Sequence, residues 1–154
     1  MAATIVMDSK AGTQFLNVDL DVFAKVPLNA MAEAFGDTVI VLHAGRRGRR
    51  YSAHLELSGS GGESAQQADR VVRQLVRLVE RLPRHARRLW NQADAREFNL
   101  GIEAATKSRV FELRLQPGTL KAVANVDGRI VVTVYAPQRV LRAARTRKRR
   151  TATT

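Results

Sequence analysis

Two aspartates alternate with apolar residues in the segment Val18-Asp19-Leu20-Asp21-Val22. In an extended strand, side chains two positions apart lie on the same face, about 7 Å from each other. Carboxylates at this spacing could share a divalent cation, which would orient phosphate groups or activate water for chemistry on nucleotides. The same pattern also arises where one face of a strand is simply solvated, so the residues leave both interpretations open.

The alternation of apolar residues with aspartate resembles the metal-binding strand of nucleotidyltransferases and primases. The resemblance covers residues 18–22 and implies that Asp19 and Asp21 are metal ligands in an enzyme that acts on nucleotides. The glycine-rich nucleotide loop that such enzymes often carry before this strand is absent. Three glutamates are candidates for a further carboxylate ligand: Glu56, Glu103 and Glu112.

Histidine offers a second route to a metal site. His43 and His54 flank a predicted hairpin turn, and with Glu56 they would make a set of three ligands. Alternating residues form the buried side of the second strand of this hairpin: Tyr51, Ala53, Leu55 and Leu57. His54 therefore points outward, whereas the direction of His43 depends on the register of the turn, which the sequence leaves open.

Basic residues form three clusters. The tip of the hairpin carries Arg46, Arg47, Arg49 and Arg50. One side of a predicted helix carries Arg70, Arg73, Arg77 and Arg81. The end of the chain carries Arg147, Lys148, Arg149 and Arg150. Because guanidinium groups present donors that match phosphate oxygens, we predict that these twelve residues contact nucleic acid, with all three clusters on one face of the molecule.

The basic clusters are not accompanied by a recognition motif. The sequence shows no helix-turn-helix signature and no zinc-ligand spacing, and its 5% aromatic content provides no stacking surface for bases. Asp69 with Arg73 and Glu80 with Arg84 are spaced as ordinary surface pairs on a helix. Any nucleic-acid contact would therefore be mostly to phosphates, sensitive to salt and weakly selective for sequence.

Charge and composition limit the class of protein. The 154 residues include 26 Lys and Arg against 14 Asp and Glu, a formal net charge of +12, and residues 138–154 carry seven basic residues and no acidic one. With no cysteine, the chain has no disulfide or thiolate metal site. We find no signal peptide or apolar run long enough for a membrane span, which predicts a cytoplasmic protein.

Hydrophobic periodicity predicts ten elements in one domain. The order is βαββααββαβ, with strands at 15–22, 39–44, 51–57, 98–104, 110–115 and 130–136. Helices are predicted from Pro27 to a left-handed cap at Gly36, at 65–82, at 84–95 and from Pro117 to Gly128. Ser64 and Gln67 have the spacing of a capping box. Residues 1–14 form an N-terminal extension, residues 15–137 the domain, and residues 138–154 a flexible basic tail.

The element order contains an internal repeat. One set of residues recurs 92 positions later: Leu28, Gly36, Val39 and Ala44 match Leu120, Gly128, Val131 and Ala136. Each half is a strand-helix-strand unit, which predicts parallel strand pairs. We therefore predict an α+β fold with a mixed sheet of about six strands, helices on one face and two pseudo-repeated βαβ units, which resembles the ferredoxin-like folds.

The leading function is a non-enzymatic binding or accessory protein that engages an anionic partner, with nucleic acid first. The alternative is a protein-protein interaction or regulatory module, including a homodimer, that uses the polar face of the sheet. A metal-dependent enzyme acting on nucleotides through Asp19 and Asp21 ranks third. We predict no cofactor.

Overall fold

The computed structural model describes residues 12–60, 64–106 and 110–137. Within these ranges, one mixed sheet contains β1 (Gln14–Ala24), β2 (Val39–Arg47), β3 (Arg50–Leu57), β4 (Ala95–Glu103) and β5 (Arg129–Tyr135). The helices are α1 (Asn29–Glu33), α2 (Ala68–Glu80), α3 (Arg84–Gln92) and α4 (Pro117–Asn125), with short 3-10 turns at Gly36–Thr38 and Ala65–Gln67. The predicted α+β class is confirmed, with five strands in place of six.

The strands are ordered β2-β3-β1-β4-β5, with β1 at the centre. β1 is antiparallel to both β3 and β4, β2 is antiparallel to β3, and β5 is parallel to β4. Up to β4, this order is that of the ferredoxin-like split βαβ topology, in which β3 lies between two strands of the same direction. β5 extends this sheet beyond β4.

Alternation along β1 creates the core. Val18, Leu20 and Val22 are fully buried beneath the helices. The facing side of α2 is apolar at helical spacing, through Val71, Val72, Leu75, Val76 and Val79. Since burying a side chain of this size stabilises the fold by roughly 1.5 to 3 kcal/mol, this contact is what holds α2 on the sheet. Among the described residues, no helix covers the opposite face of the sheet.

The start of α2 follows the predicted capping signal. Ser64 and Gln67 form the reciprocal capping box, and the Ser64 backbone N–H donates to Gln67 Oε1 at 2.9 Å. The first turn is a 3-10 turn, so the α-helix itself begins at Ala68 and not at residue 65. It ends at Glu80, shortly before Pro83, whose ring cannot continue a helix.

The strand predicted at 110–115 is wrong. Phe111, Leu113 and Leu115 pack against the core and the residues between them are exposed, but the segment belongs to no strand of the sheet. It runs beside the start of α2, where the Gln116 backbone N–H donates to Asp69 Oδ1 at 2.8 Å. Alternation of apolar and polar residues indicates that one side of an extended segment is buried. It does not indicate that the segment pairs with a neighbouring strand.

The pseudo-repeated order is not confirmed either. β1 and β2 run in the same direction, but β3 separates them, and the second unit lacks its first strand. Positions predicted to be equivalent also differ: Leu28 is fully buried, whereas Leu120 is 47% exposed. Gly36 does adopt a positive φ of 62°, but in the second unit the positive φ, 54°, belongs to Asp127.

The connection from α4 to β5 explains why residue 128 is glycine. A Cβ added to Gly128 would lie 2.6 Å from the ring of Phe98, so any larger residue would displace β5 from β4. Trp90 also fixes the connection from α4 to β5, because its indole N–H donates to the Val126 carbonyl at 2.9 Å. These contacts place β5, and with it Thr133 and Tyr135, beside β4.

The N-terminal residues 1–11 and the basic tail, residues 138–154, lie outside the described residues. The predicted contacts of Arg147, Lys148, Arg149 and Arg150 therefore stay predictions. In the described part of the chain, no helix is both long and apolar enough to cross a membrane.

Candidate binding site on the polar face of the sheet

The side of the sheet away from the helices, here called the polar face, carries the alternate residues of each strand. Strand register brings its central residues together: Asp21 lies opposite His54, and Asp19 lies between Glu56 on β3 and Asn99 on β4. Five carboxyl groups lie on this face: Asp19, Asp21, Glu56, Glu97 and Glu103. A chain with a formal charge of +12 thus concentrates acidic groups on one surface.

A row of hydrogen bonds crosses four strands through Asp21. Nδ1–H of His54 donates to Asp21 Oδ1 at 2.7 Å, and the Asn99 amide donates to Asp21 Oδ2 at 3.2 Å. The Thr133 hydroxyl donates to Asn99 Oδ1 at 2.8 Å. The Asp21 side chain is only 10% exposed, and His54 Nε2 is buried with no partner among the described residues.

The histidine pair left open by the sequence does form. His43 lies directly opposite His54, with ring centroids 5.7 Å apart. The cause is a β-bulge between Val41 and His43, where Leu42 is the extra residue. Such a bulge changes the direction of neighbouring side chains, and here Leu42 borders the same concavity as the two rings.

Asp19 is the residue of the site whose ionised form is least favourable. Its burial, together with the charges of Asp21 and Glu56, raises its pKa from 3.8 to about 6, against a smaller opposing effect of His54. The Asn17 amide donates to Asp19 Oδ1 at 2.9 Å. Among the described residues, neither Asp19 nor Glu56 has a lysine or arginine within ion-pair distance. The charged form of Asp19 is therefore poorly compensated.

These residues surround an open concavity of about 520 Å³ on the polar face. Its lining consists of Asp19, Asp21, Leu42, His43, Arg47, His54, Asn99 and Tyr135. The ring of Tyr135 passes close to Gly101, where an added Cβ would lie 3.6 Å from the ring and 2.7 Å from Asn17 Oδ1. Glycine at 101 thus leaves room both for Tyr135 and for the amide that supports Asp19.

The metal-site interpretations receive little support from this geometry. Within the described ranges, no group of three or more histidine and acidic side chains is close enough to hold a metal ion. Glu103 accepts a hydrogen bond from the Gln14 amide at 2.7 Å. Glu112 lies on the extended segment beside α2, where it pairs with Arg114 at 2.8 Å. Neither adds a third carboxylate to Asp19 and Asp21.

The structure separates two of the predicted basic clusters. Arg46, Arg47 and Arg49 are exposed at the hairpin tip, while Arg50 pairs with Asp94 at 3.1 Å. On α2, Arg73 is exposed, and Arg70, Arg77 and Arg81 border clefts that are also lined by Leu57. At about 3.3 Å per residue, Arg50 and Leu57 are about 23 Å apart along β3. The two clusters therefore lie at opposite ends of this strand.

Several residues of the site were not predicted from the sequence. Thr133 and Tyr135 lie in a strand whose alternation is interrupted by Val131, so no clean polar side marked them. Leu42 belongs to the strand predicted at 39–44, and it lines the concavity because of the bulge. The spacing of Thr133 and Tyr135, two positions apart in a β-branched strand, was the signal that could have placed them on one face.

Comparison with known proteins found no matching family model, no similar curated protein and no similar solved structure. The function is therefore inferred from the residues of this chain.

Proposed function

We propose that this chain is a non-enzymatic binding protein that holds a positively charged segment of a protein partner on the polar face of its sheet. The observation that carries the proposal is the Asp19 carboxyl group, which is partly buried beside Asp21 and Glu56 with no lysine or arginine within ion-pair distance among the described residues. An ammonium or guanidinium group from a partner would supply the missing compensation.

Asp21 and His54 give the site a fixed geometry. Both Asp21 oxygens already accept hydrogen bonds from the protein, so this carboxylate is held in one orientation. A preorganised acceptor loses little conformational entropy on binding, which strengthens a charge-assisted hydrogen bond to a ligand. Asp19, which has only the Asn17 amide as a hydrogen-bond donor among the described residues, is left to contact the ligand.

The shape of the site favours a side chain on a peptide over an enclosed small molecule. The concavity is open to solvent along the sheet, and its rim carries Tyr135 on β5 and Leu42 on β2. An aromatic ring can contact a cation through its face, and Leu42 can pack against the aliphatic stem of lysine or arginine.

Among the described residues, no hydroxyl group hydrogen-bonds to His54, so an enzymatic role of the Asp21–His54 pair lacks a positioned nucleophile. A histidine oriented by a carboxylate can activate a hydroxyl group, as in acyl-transfer enzymes. The hydroxyl nearest along the same strand belongs to Ser52, which is 1% exposed and hydrogen-bonds to neither residue. Because this oxygen is buried, binding is the better-supported function.

The test is titration of a fluorescein-labelled hexa-arginine peptide by fluorescence anisotropy with a full-length variant in which the seven basic residues of 138–154 are replaced by Gln, so that the chain's own cationic segment does not compete. Asp19→Asn should weaken binding at least fivefold, because it removes the uncompensated charge and keeps the size of the side chain. Asp37→Asn, at an exposed aspartate of the 3-10 turn, is the matched control and should change binding less than twofold. Equal loss in both variants would reveal general charge attraction and would contradict the proposed site.

Nucleic-acid binding is the second candidate, favoured by the exposed arginines of the hairpin tip and α2. The two arginine clusters are about 23 Å apart, which corresponds to about seven base pairs of a nucleic-acid duplex. One duplex could therefore contact both clusters. We expect DNA and RNA oligomers to bind with steep salt dependence if this proposal holds. Replacing Arg46, Arg47 and Arg49 by Gln should then lower the salt slope, and an unchanged slope would oppose a role of the tip.

A further inference from the structure

We propose that the basic tail of this chain, residues 138–154, occupies the polar face of the same molecule and competes there with the cationic segment of a partner. This inference rests on the proposed function and names an occupant for the same site. The tail would act as an internal pseudo-ligand that sets the threshold for binding a partner.

Charge complementarity is the first reason. The tail contains seven basic residues and no acidic residue. The polar face contains five carboxyl groups, of which Glu97 is paired with Arg129 at 3.5 Å. Within the described residues, the centre of that face around Asp19 and Glu56 has no lysine or arginine within ion-pair distance. The chain thus carries both an acidic surface and a cationic segment of the kind that this surface would bind.

The point of attachment is the second reason. The described chain ends at Pro137, two residues after Tyr135, and Tyr135 lines the concavity together with Asp19 and Asp21. Strand register places Asp19 level with Val131, four residues before Tyr135 and two strands away from β5, so Asp19 lies about 16 Å from Tyr135. The 17 residues of the tail can extend about 55 Å, so the basic residues in its second half can reach Asp19.

Tethering makes a weak interaction effective. A short flexible linker gives a tethered segment an effective concentration in the millimolar range. If the free tail peptide bound the face with a Kd of about 0.1 mM, an effective concentration of about 1 mM would occupy the site in about nine molecules of ten. An external peptide would then bind about tenfold more weakly than it binds to a vacant face.

The experiment compares the full chain with a tail-neutral variant of the same length, in which the seven basic residues of the tail are replaced by Gln. Two fluorescein-labelled probes are titrated: a peptide of residues 138–154 and the hexa-arginine peptide. We expect both probes to bind the tail-neutral variant about tenfold more tightly than the unmodified chain. Asp19→Asn in the tail-neutral background should remove most of this gain.

The outcomes separate this inference from the function on which it rests. If the unmodified chain binds hexa-arginine as tightly as the tail-neutral variant does, the tail does not occupy the face and the inference fails, while the proposed function stands. The same holds if the tail-neutral variant binds hexa-arginine but not the tail peptide. If it binds neither probe, the proposed function itself fails.

A spin label at the end of the tail gives an independent test. Because the chain contains no cysteine, Ala152→Cys provides a single attachment point. We expect the label to broaden the amide signals of Asp21 and His54, and not those of Arg73 and Arg77 on α2. Broadening confined to α2 would overturn the inference, and so would broadening that appears in mixtures of labelled and isotope-enriched chains, because it would place the tail on a second copy.

Discussion

The two faces of β1 carry different chemistry although they alternate along one strand. Val18, Leu20 and Val22 are fully buried against the helices, whereas Asn17, Asp19 and Asp21 face the open side of the sheet. The apolar face contributes stability through burial. The polar face instead collects carboxyl groups, and the raised pKa of Asp19 indicates that this arrangement costs stability at neutral pH. One strand thus supports both the core and the candidate site.

The largest expected effect comes from breaking the apolar face. Leu20→Ala should lower the free energy of unfolding by about 3 kcal/mol, because the residue is fully buried beside Leu55 and Phe98 and leaves a cavity. Urea denaturation would measure this change. Peptide binding by the folded fraction should stay within twofold, and a much larger loss of affinity would show that the two faces are not independent.

A substitution on the polar face is expected to change the free energy of unfolding less, and in the opposite direction. Asp19→Asn should raise the free energy of unfolding at pH 7 by about 1 kcal/mol, a value reduced for solvent screening of this partly exposed group. Burial of the Asp19 carboxyl group is the largest cause of its raised pKa, followed by the charges of Asp21 and Glu56, while His54 acts in the opposite direction.

The sign follows from the two pKa values. Below pH 3.8 the Asp19 carboxyl group is protonated in both the folded and the unfolded chain, so the variant should match the unmodified protein. As the pH rises to about 6, the unfolded chain releases this proton more readily, and the unmodified protein loses stability relative to the variant. Urea denaturation at pH 4, 5.5 and 7 would measure this trend, and a constant difference would contradict it.

The smallest effect is expected at the hairpin tip. Arg50→Gln breaks the pair with Asp94, but the arginine side chain is 59% exposed and the pair is open to solvent. We expect a loss of about 0.5 kcal/mol or less in the free energy of unfolding. A thermal shift of several degrees would show that this pair holds the tip against the loop between α3 and β4.

Most elements of the fold could be predicted from periodicity. The alternation of apolar residues predicted β1, β3 and β4, runs of apolar and β-branched residues predicted β2 and β5, and the capping box predicted the start of α2. The same signal failed at 110–115, because an extended segment that covers the core beside α2 shows the same alternation as a strand. The internal repeat failed for a related reason: similar spacing of Leu and Gly did not imply similar burial.

The candidate site could be predicted only in part. Asp19, Asp21 and His54 were assigned to a polar strand face from local alternation, which is a property of each strand alone. Their mutual distances were not available from the sequence, since these depend on which strands are neighbours and on register. A shift of one residue in that register would move every side chain to the other face.

The amino-acid order of β1 by itself determined that one side would be apolar and the other acidic, because successive side chains of an extended chain point in opposite directions. Tertiary structure alone decided that Asp21 would meet His54, and that the bulge at Leu42 would turn His43 toward the same site. It also placed Tyr135, 114 residues after Asp21 in the chain, at the rim of one concavity. Contacts between distant segments depend on the packing of the whole core, which no local pattern contains.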